Sequence, residues 1–145
     1  HGHLDVARLL LESGAEINET TDVGVSALFL SCCHGQFDAV RLLLESGAEV
    51  NKGTTCGFRP LVVACRQDHV DVVRLLLDNG AGVNQAAAVD GTSPLYVACE
   101  KGVTDVARVL LGHGADVFQK AYNGVTPKQI AAASQHDNNN CRLAC

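Results

Sequence analysis

The sequence predicts an all-α solenoid, a stack of short helical units in which each packs on its neighbours and none can bury its apolar face alone. Three observations lead there. The group Gly-Ala-x-x-Asn begins at Gly14, Gly47 and Gly80 and, in altered form, at Gly114, so the starts are 33, 33 and 34 residues apart. A Leu-rich amphipathic segment precedes each copy in constant phase. Cys32, Cys65 and Cys99 follow the same period, with Ala132 at the matching site of the last unit, which makes this a column for a small buried side chain rather than a disulfide framework.

The Leu-rich segments at 4–11, 37–44, 70–77 and 104–111 predict helices. Apolar residues at i, i+1, i+3 and i+4 form a wide stripe, and Asp5, Asp38, Asp71 and Asp105 lie in the first turn, where the positive end of the helix dipole favours them. Val6-Ala7 becomes Ala39-Val40 in the next unit, a swap that conserves the volume of a shared packing layer. Each helix runs into Gly14, Gly47, Gly80 or Gly114, residues suited to the left-handed conformation that ends a helix.

A second glycine follows each of these, at Gly24, Gly57, Gly91 and Gly124. The gap is ten residues except before Gly91, where it is eleven. A tight turn there lets the intervening stretch project as a hairpin-like finger, and the extra residue within Gln85-Ala86-Ala87-Ala88-Val89-Asp90 makes the third finger longer. A shorter helix then opens at Ser26-Ala27-Leu28, Arg59-Pro60-Leu61, Ser93-Pro94-Leu95 and Thr126-Pro127-Lys128, with the hydroxyl cap and Pro both present in the last two. Loops at Gly35, Asp68 and Gly102 turn each short helix into the next long one. Asp68 is acceptable there because Asp visits the left-handed region more readily than most residues.

The units divide one domain, 1–145, into a partial repeat at 1–20, repeats at 21–53, 54–87 and 88–120, and a partial C-terminal capping repeat with tail at 121–145. The tail from Ser134 has no apolar period and is expected to fray. A start at His1 and the absence of Met lead to the expectation that the chain is a segment of a longer protein, with an upstream repeat covering Val6 and Leu9.

Hydrophobic residues are 47% of the chain, the net charge is -5 and the pI is near 5.6. No basic field exists to draw nucleic acid or an anionic membrane surface, which leaves a protein partner and a monomeric chain as the expectation. No apolar stretch reaches the length of a membrane span and no signal-peptide order is present, so an intracellular location, cytoplasmic or nuclear, is expected.

These residues resemble the ankyrin repeat, whose unit carries a turn glycine, Thr-Pro-Leu-His, Ala-Ala, Gly-His, a Val-Val-x-Leu-Leu helix and a terminal Gly-Ala-x-x-Asn. The likeness runs from His1 to about Ala133. It implies antiparallel helix pairs with β-hairpin fingers and a concave face that binds protein partners. Departures are the family's His, replaced by Phe29, Val62, Tyr96 and Gln129 with weaker loop anchoring expected, Phe118 in place of the finger Asn, and Lys128 in place of a core Leu. The last two mark a polar end to the array.

Carried over position by position, the resemblance marks as partner-binding Asp22, Val23, Val25, Cys33 and His34, then Thr55, Cys56, Phe58, Arg66 and Gln67. Val89, Asp90, Thr92, Glu100 and Lys101 follow, and then Tyr122, Asn123 and Val125. Phe58 and Tyr122 are the strongest anchors because aromatics dominate interface energetics. The resemblance also marks Asn18, Asn51 and Asn84 as candidate hydroxylation sites, against a structural role in which each Asn bonds backbone at the finger base. Asn18-Glu19-Thr20 fits a glycosylation triplet that an intracellular chain would not use.

Other groups have plainer readings. Arg8, Arg41, Arg74 and Arg108 each follow an Asp by three residues and read as solvated ion pairs worth tenths of a kcal/mol. His136, Cys141 and Cys145 lack paired Cys-x-x-Cys spacing, so no metal or cofactor is expected. Cys33 and His34 are adjacent on a helix, pointing about 100° apart, which does not make a nucleophile and base. The sequence therefore reads as a non-enzymatic protein-interaction scaffold, with structural spacer repeats in a larger adaptor or enzyme as the alternative.

Overall fold

In the computed structural model, which describes residues 2–140, the chain forms eight helices. They are α1 (Gly2–Glu12), α2 (Ala27–Cys33), α3 (Phe37–Glu45), α4 (Pro60–Arg66), α5 (Val70–Asp78), α6 (Pro94–Lys101), α7 (Thr104–Gly112) and α8 (Pro127–Asn140). The helices α2, α4, α6 and α8 pack side by side in one row, and α1, α3, α5 and α7 in a second. The core lies between the rows. Leu28, Cys32, Val40, Leu61, Cys65, Val73, Leu76, Val106 and Leu110 are all buried there.

The Gly-Ala pair explains the helix ends. Gly47 has φ +90 and its N–H donates to Leu44 O at 3.1 Å, while Ala48 N–H donates to Leu43 O at 2.9 Å. This is the paired closure of a Schellman motif, and it recurs at all four copies. The helix starts are capped as expected at Ser26 and Ser93, whose hydroxyls accept from Phe29 N and Tyr96 N at 3.1 Å. At Thr126 the cap is reciprocal: Thr126 Oγ1 accepts from Gln129 N at 3.2 Å and Gln129 Oε1 accepts from Thr126 N at 2.9 Å. This capping box, Thr-x-x-Gln, stands where the family's His is missing and supplies the anchoring that the substitution predicted to be weak. Asp68 takes φ +60, and beside it His69 Nε2 donates to Cys33 O of the preceding unit at 3.2 Å.

The fingers are tight turns rather than strand ladders. Among the described residues the one isolated bridge pairs Thr20 with Ser26, because each arm has too few residues between the finger base and its helix to pair further. Each turn is closed by a backbone bond across its neck, as in Thr54 N–H to Phe58 O at 2.9 Å and Ala87 N–H to Thr92 O at 2.9 Å. The extra residue of the third finger sits at its tip. Gly91 N–H reaches back four residues to Ala87 O, where Gly57 N–H reaches three to Thr54 O.

Three expectations are corrected. Ala132 is exposed, unlike Cys32 and Cys65, because among the described residues no helix packs over that face of α8. Helical backbone does not stop at Ser134: α8 continues to Asn140, since no Gly or Pro breaks the chain after Pro127, and residues 141–145 lie outside the described residues. Of the four Asp–Arg pairs two close, Arg41 with Asp38 at 2.7 Å and Arg108 with Asp105 at 3.4 Å. All these side chains are more than half exposed, so the pairs add little.

Candidate functional site

The stack brings the C-terminal ends of α4 and α6 beside the fingers, with Arg66 over the Phe58 ring and Glu100 lining a groove with Val89 and Tyr122. Neighbouring fingers are joined by backbone bonds: Thr55 N–H to Val23 O at 3.1 Å, Ala88 N–H to Gly57 O at 3.3 Å, and Tyr122 N–H to Asp90 O at 3.0 Å. The fit is close. A Cβ on Gly57, at φ +79, would lie 2.2 Å from Ala88 Cβ, so only glycine lets the second and third tips meet.

The finger bases are locked by the three Asn residues. Asn51 Nδ2 donates to Gly80 O at 3.2 Å and Asn51 Oδ1 accepts from Gly82 N at 3.0 Å, and Asn18 and Asn84 make the same two-point clamp on the following units. Each Asn carbonyl is held as well, that of Asn18 by Lys52 Nζ at 3.0 Å, of Asn51 by Arg59 NH1 at 2.7 Å, and of Asn84 by Gln119 Nε2 at 2.9 Å. Arg59 thus explains its place at a helix start, where a hydroxyl is usual. Phe118, at the fourth Asn position, is exposed, with Lys128 Nζ 5.7 Å from its ring centroid.

On this framework Asp22, Val23, His34, Thr55, Cys56, Gln67, Val89, Glu100, Lys101, Tyr122 and Asn123 are exposed. Val25, Cys33, Phe58, Arg66, Asp90 and Val125 are half-buried. Thr92 is a correction: it is buried, because its N–H and hydroxyl both donate to Asp90 Oδ1, at 3.0 and 2.7 Å, beneath the finger tip. Of the two aromatic anchors, Tyr122 is 74% exposed, whereas Phe58 is half-covered by Arg66, whose guanidinium carbon is 5.5 Å from the ring centroid.

The structure also gathers residues that periodicity did not single out as a group. Val89, Asp90, Glu100 and Tyr122 meet Tyr96 and Ala121 around a groove of about 410 Å³ between the third and fourth fingers. Asn123 Nδ2 donates to the Tyr96 hydroxyl at 3.3 Å across it. Tyr96 occupies the position of the family's missing His, and that substitution was the signal available in the sequence.

The remaining chemistry is quiet. Burial pushes the Cys32 thiol up to about 12, with its neighbour Cys33 adding to the shift, and burial raises Cys65 and Cys99 too. These thiols are poor nucleophiles and ligands. His34 Nδ1 is bonded to Leu30 O at 2.8 Å, facing its own helix rather than the adjacent Cys33. Among the described residues no cluster of three His, Cys, Asp or Glu side chains is placed to hold a metal ion, and Cys141 and Cys145 fall outside them. No described helix is long and apolar enough to cross a membrane.

A family model for ankyrin repeats, three copies, matches residues 1–87 and 61–144. No curated protein matches the chain.

Proposed function

The chain belongs to the ankyrin-repeat family, and on that premise we propose that it is a non-enzymatic interaction module that binds another protein through its finger tips and the outer ends of α2, α4 and α6. Ankyrin repeats generally serve protein–protein interaction. The observation that carries the finer reading is a row of exposed apolar tips held in register: Val23, Val89 and Tyr122 are 59%, 56% and 74% exposed on fingers bonded to one another through their backbones. A surface ordered in advance loses little entropy on docking. The module works as a monomer, and its free thiols at Cys32, Cys33, Cys56, Cys65 and Cys99 fit a reducing compartment, cytosol or nucleus.

The test is affinity capture with the parent protein beside a Phe58→Ala/Tyr122→Ala variant, read by mass spectrometry, with circular dichroism as the folding control. Loss of a specific captured protein in the folded double variant is the expected result. An unchanged capture profile would assign the repeats to a spacer role. Hydroxylation at Asn18, Asn51 or Asn84 would show in the same spectra as a mass gain on those peptides, and the two-point clamps favour a structural role for all three.

A further inference from the structure

The groove between the third and fourth fingers has an electrostatic character of its own. Its floor is buried, with Thr92, Tyr96 and Ala121 each below 9% exposure. Val89 and Tyr122 stand over it as apolar walls, and Asp90 and Glu100 bring two carboxylates, with no Lys, Arg or His in the lining. Among the described residues neither carboxylate has an ion-pair partner. Asp90 is nevertheless held in place, because its Oδ1 takes both bonds from Thr92. The Tyr96 oxygen accepts one bond from Asn123 and keeps a second lone pair. The lining is therefore net negative, with no cation among the described residues paired to either carboxylate.

The basic side chain one unit earlier does not neutralise it. Arg66, the counterpart of Glu100 one unit earlier, is held over Phe58 and makes no ion pair with Glu100. The wider tip turn of the third finger places Asp90 so that its carbonyl takes the Tyr122 N–H at 3.0 Å, which seats the Asp90 and Tyr122 side chains on the same rim. The one-residue break in the repeat period thus shapes this cavity. A volume of about 410 Å³ lies within the span of about 300–1,000 Å³ typical of ligand sites.

Building on the interaction reading above, we propose that this groove receives a basic side chain, arginine or lysine, from the partner protein. Its aliphatic stem lies against Val89 and Tyr122, and its cationic head sits between Asp90 and Glu100, close to the Tyr122 ring. A cation supplies the positive charge that the lining lacks, and the net charge of -5 attracts it at long range.

The chain carries its own reporter. It has two Tyr and no Trp, and both tyrosines line this groove. Tyrosine emission is followed while the tripeptide Gly-Arg-Gly is titrated, with Gly-citrulline-Gly as the neutral control of nearly the same shape. A saturable change with the arginine peptide is expected, weaker by up to about fivefold with citrulline or in Glu100→Gln, the size of an exposed charge pair. Raising salt from about 0.05 M to about 0.5 M should weaken it further. Equal responses to the two peptides, or no saturation by roughly 50 mM, would overturn the proposal. Asp90→Asn/Glu100→Gln removes both charges from the folded chain, and an undiminished arginine response there would overturn it as well. Failure of the titration while capture still depends on Phe58 and Tyr122 removes the charge preference and leaves the binding face standing. Capture that ignores those two residues removes the face itself.

Discussion

Leu10 and Leu76 occupy the same column of the repeat, yet they do not stand in the same surroundings. Leu76 is fully buried in α5, whereas Leu10 in α1 is 56% exposed. Removing Leu76 to Ala forfeits the transfer energy of a buried leucine side chain, about 1.5–3 kcal/mol. It also leaves a cavity that α4 and α7, both packed against α5, cannot close, and together these bring the loss to about 3–4 kcal/mol. Leu10→Ala gives up roughly half the transfer energy and opens no enclosed void, so about 1 kcal/mol is expected. The gap of about 2 kcal/mol is read from urea unfolding by far-ultraviolet circular dichroism, and for a chain of this size it corresponds to roughly 4–8 °C in Tm. Equal losses at the two sites would refute the reasoning that burial, not repeat position, sets the energetic weight of this column.

Three further outcomes are expected. Asn51→Ala leaves the Gly82 amide without its acceptor and removes the bond to Gly80 O, which should cost about 1–3 kcal/mol and speed hydrogen exchange at Gly82, whereas Asn51→Asp keeps the acceptor and should retain Gly82 protection. Gly57→Ala and Gly47→Ala both place a side chain at positive φ, but only the first meets a neighbour, Ala88; thermal melts should show about 1 kcal/mol of loss at Gly47 and clearly more at Gly57. Cys32 and Cys65 have thiols raised above the ordinary 9.0 by burial, Cys32 to about 12. The folded chain therefore holds those protons longer than the unfolded chain, so their contribution is complete below pH about 9 and is lost as pH rises toward 12. Denaturation midpoints followed upward from pH 8 should fall, and alkylation mapped at pH 8 should reach exposed Cys56 before Cys32 or Cys65.

Most of the fold was readable along the chain because its signals are local. A helix end needs a left-handed residue within one turn, which is why Gly47 and its equivalents announce it. A capped start needs a hydroxyl two or three residues from the amide it accepts, which is why Ser93 was legible and why Thr126 with Gln129 could have been. The binding face was legible only as a set of columns. Thr92 belongs to such a column and is buried, because the Asp90 carboxylate turns it inward, and sequence position does not register that turn.

The period, the helix pairs and the fingers follow from residues a few places apart, and for those the order of amino acids was enough. Partners about 30 residues apart were decided by stacking alone: Asn51 finds Gly80 and Gly82, Lys52 finds Asn18 O, and Asn123 reaches Tyr96. The groove between the third and fourth fingers arises in the same way, since one inserted residue acquires its consequence only when the next finger packs beside it. Local conformational preference is encoded residue by residue, whereas burial and charge balance belong to the surfaces that meet after the units stack.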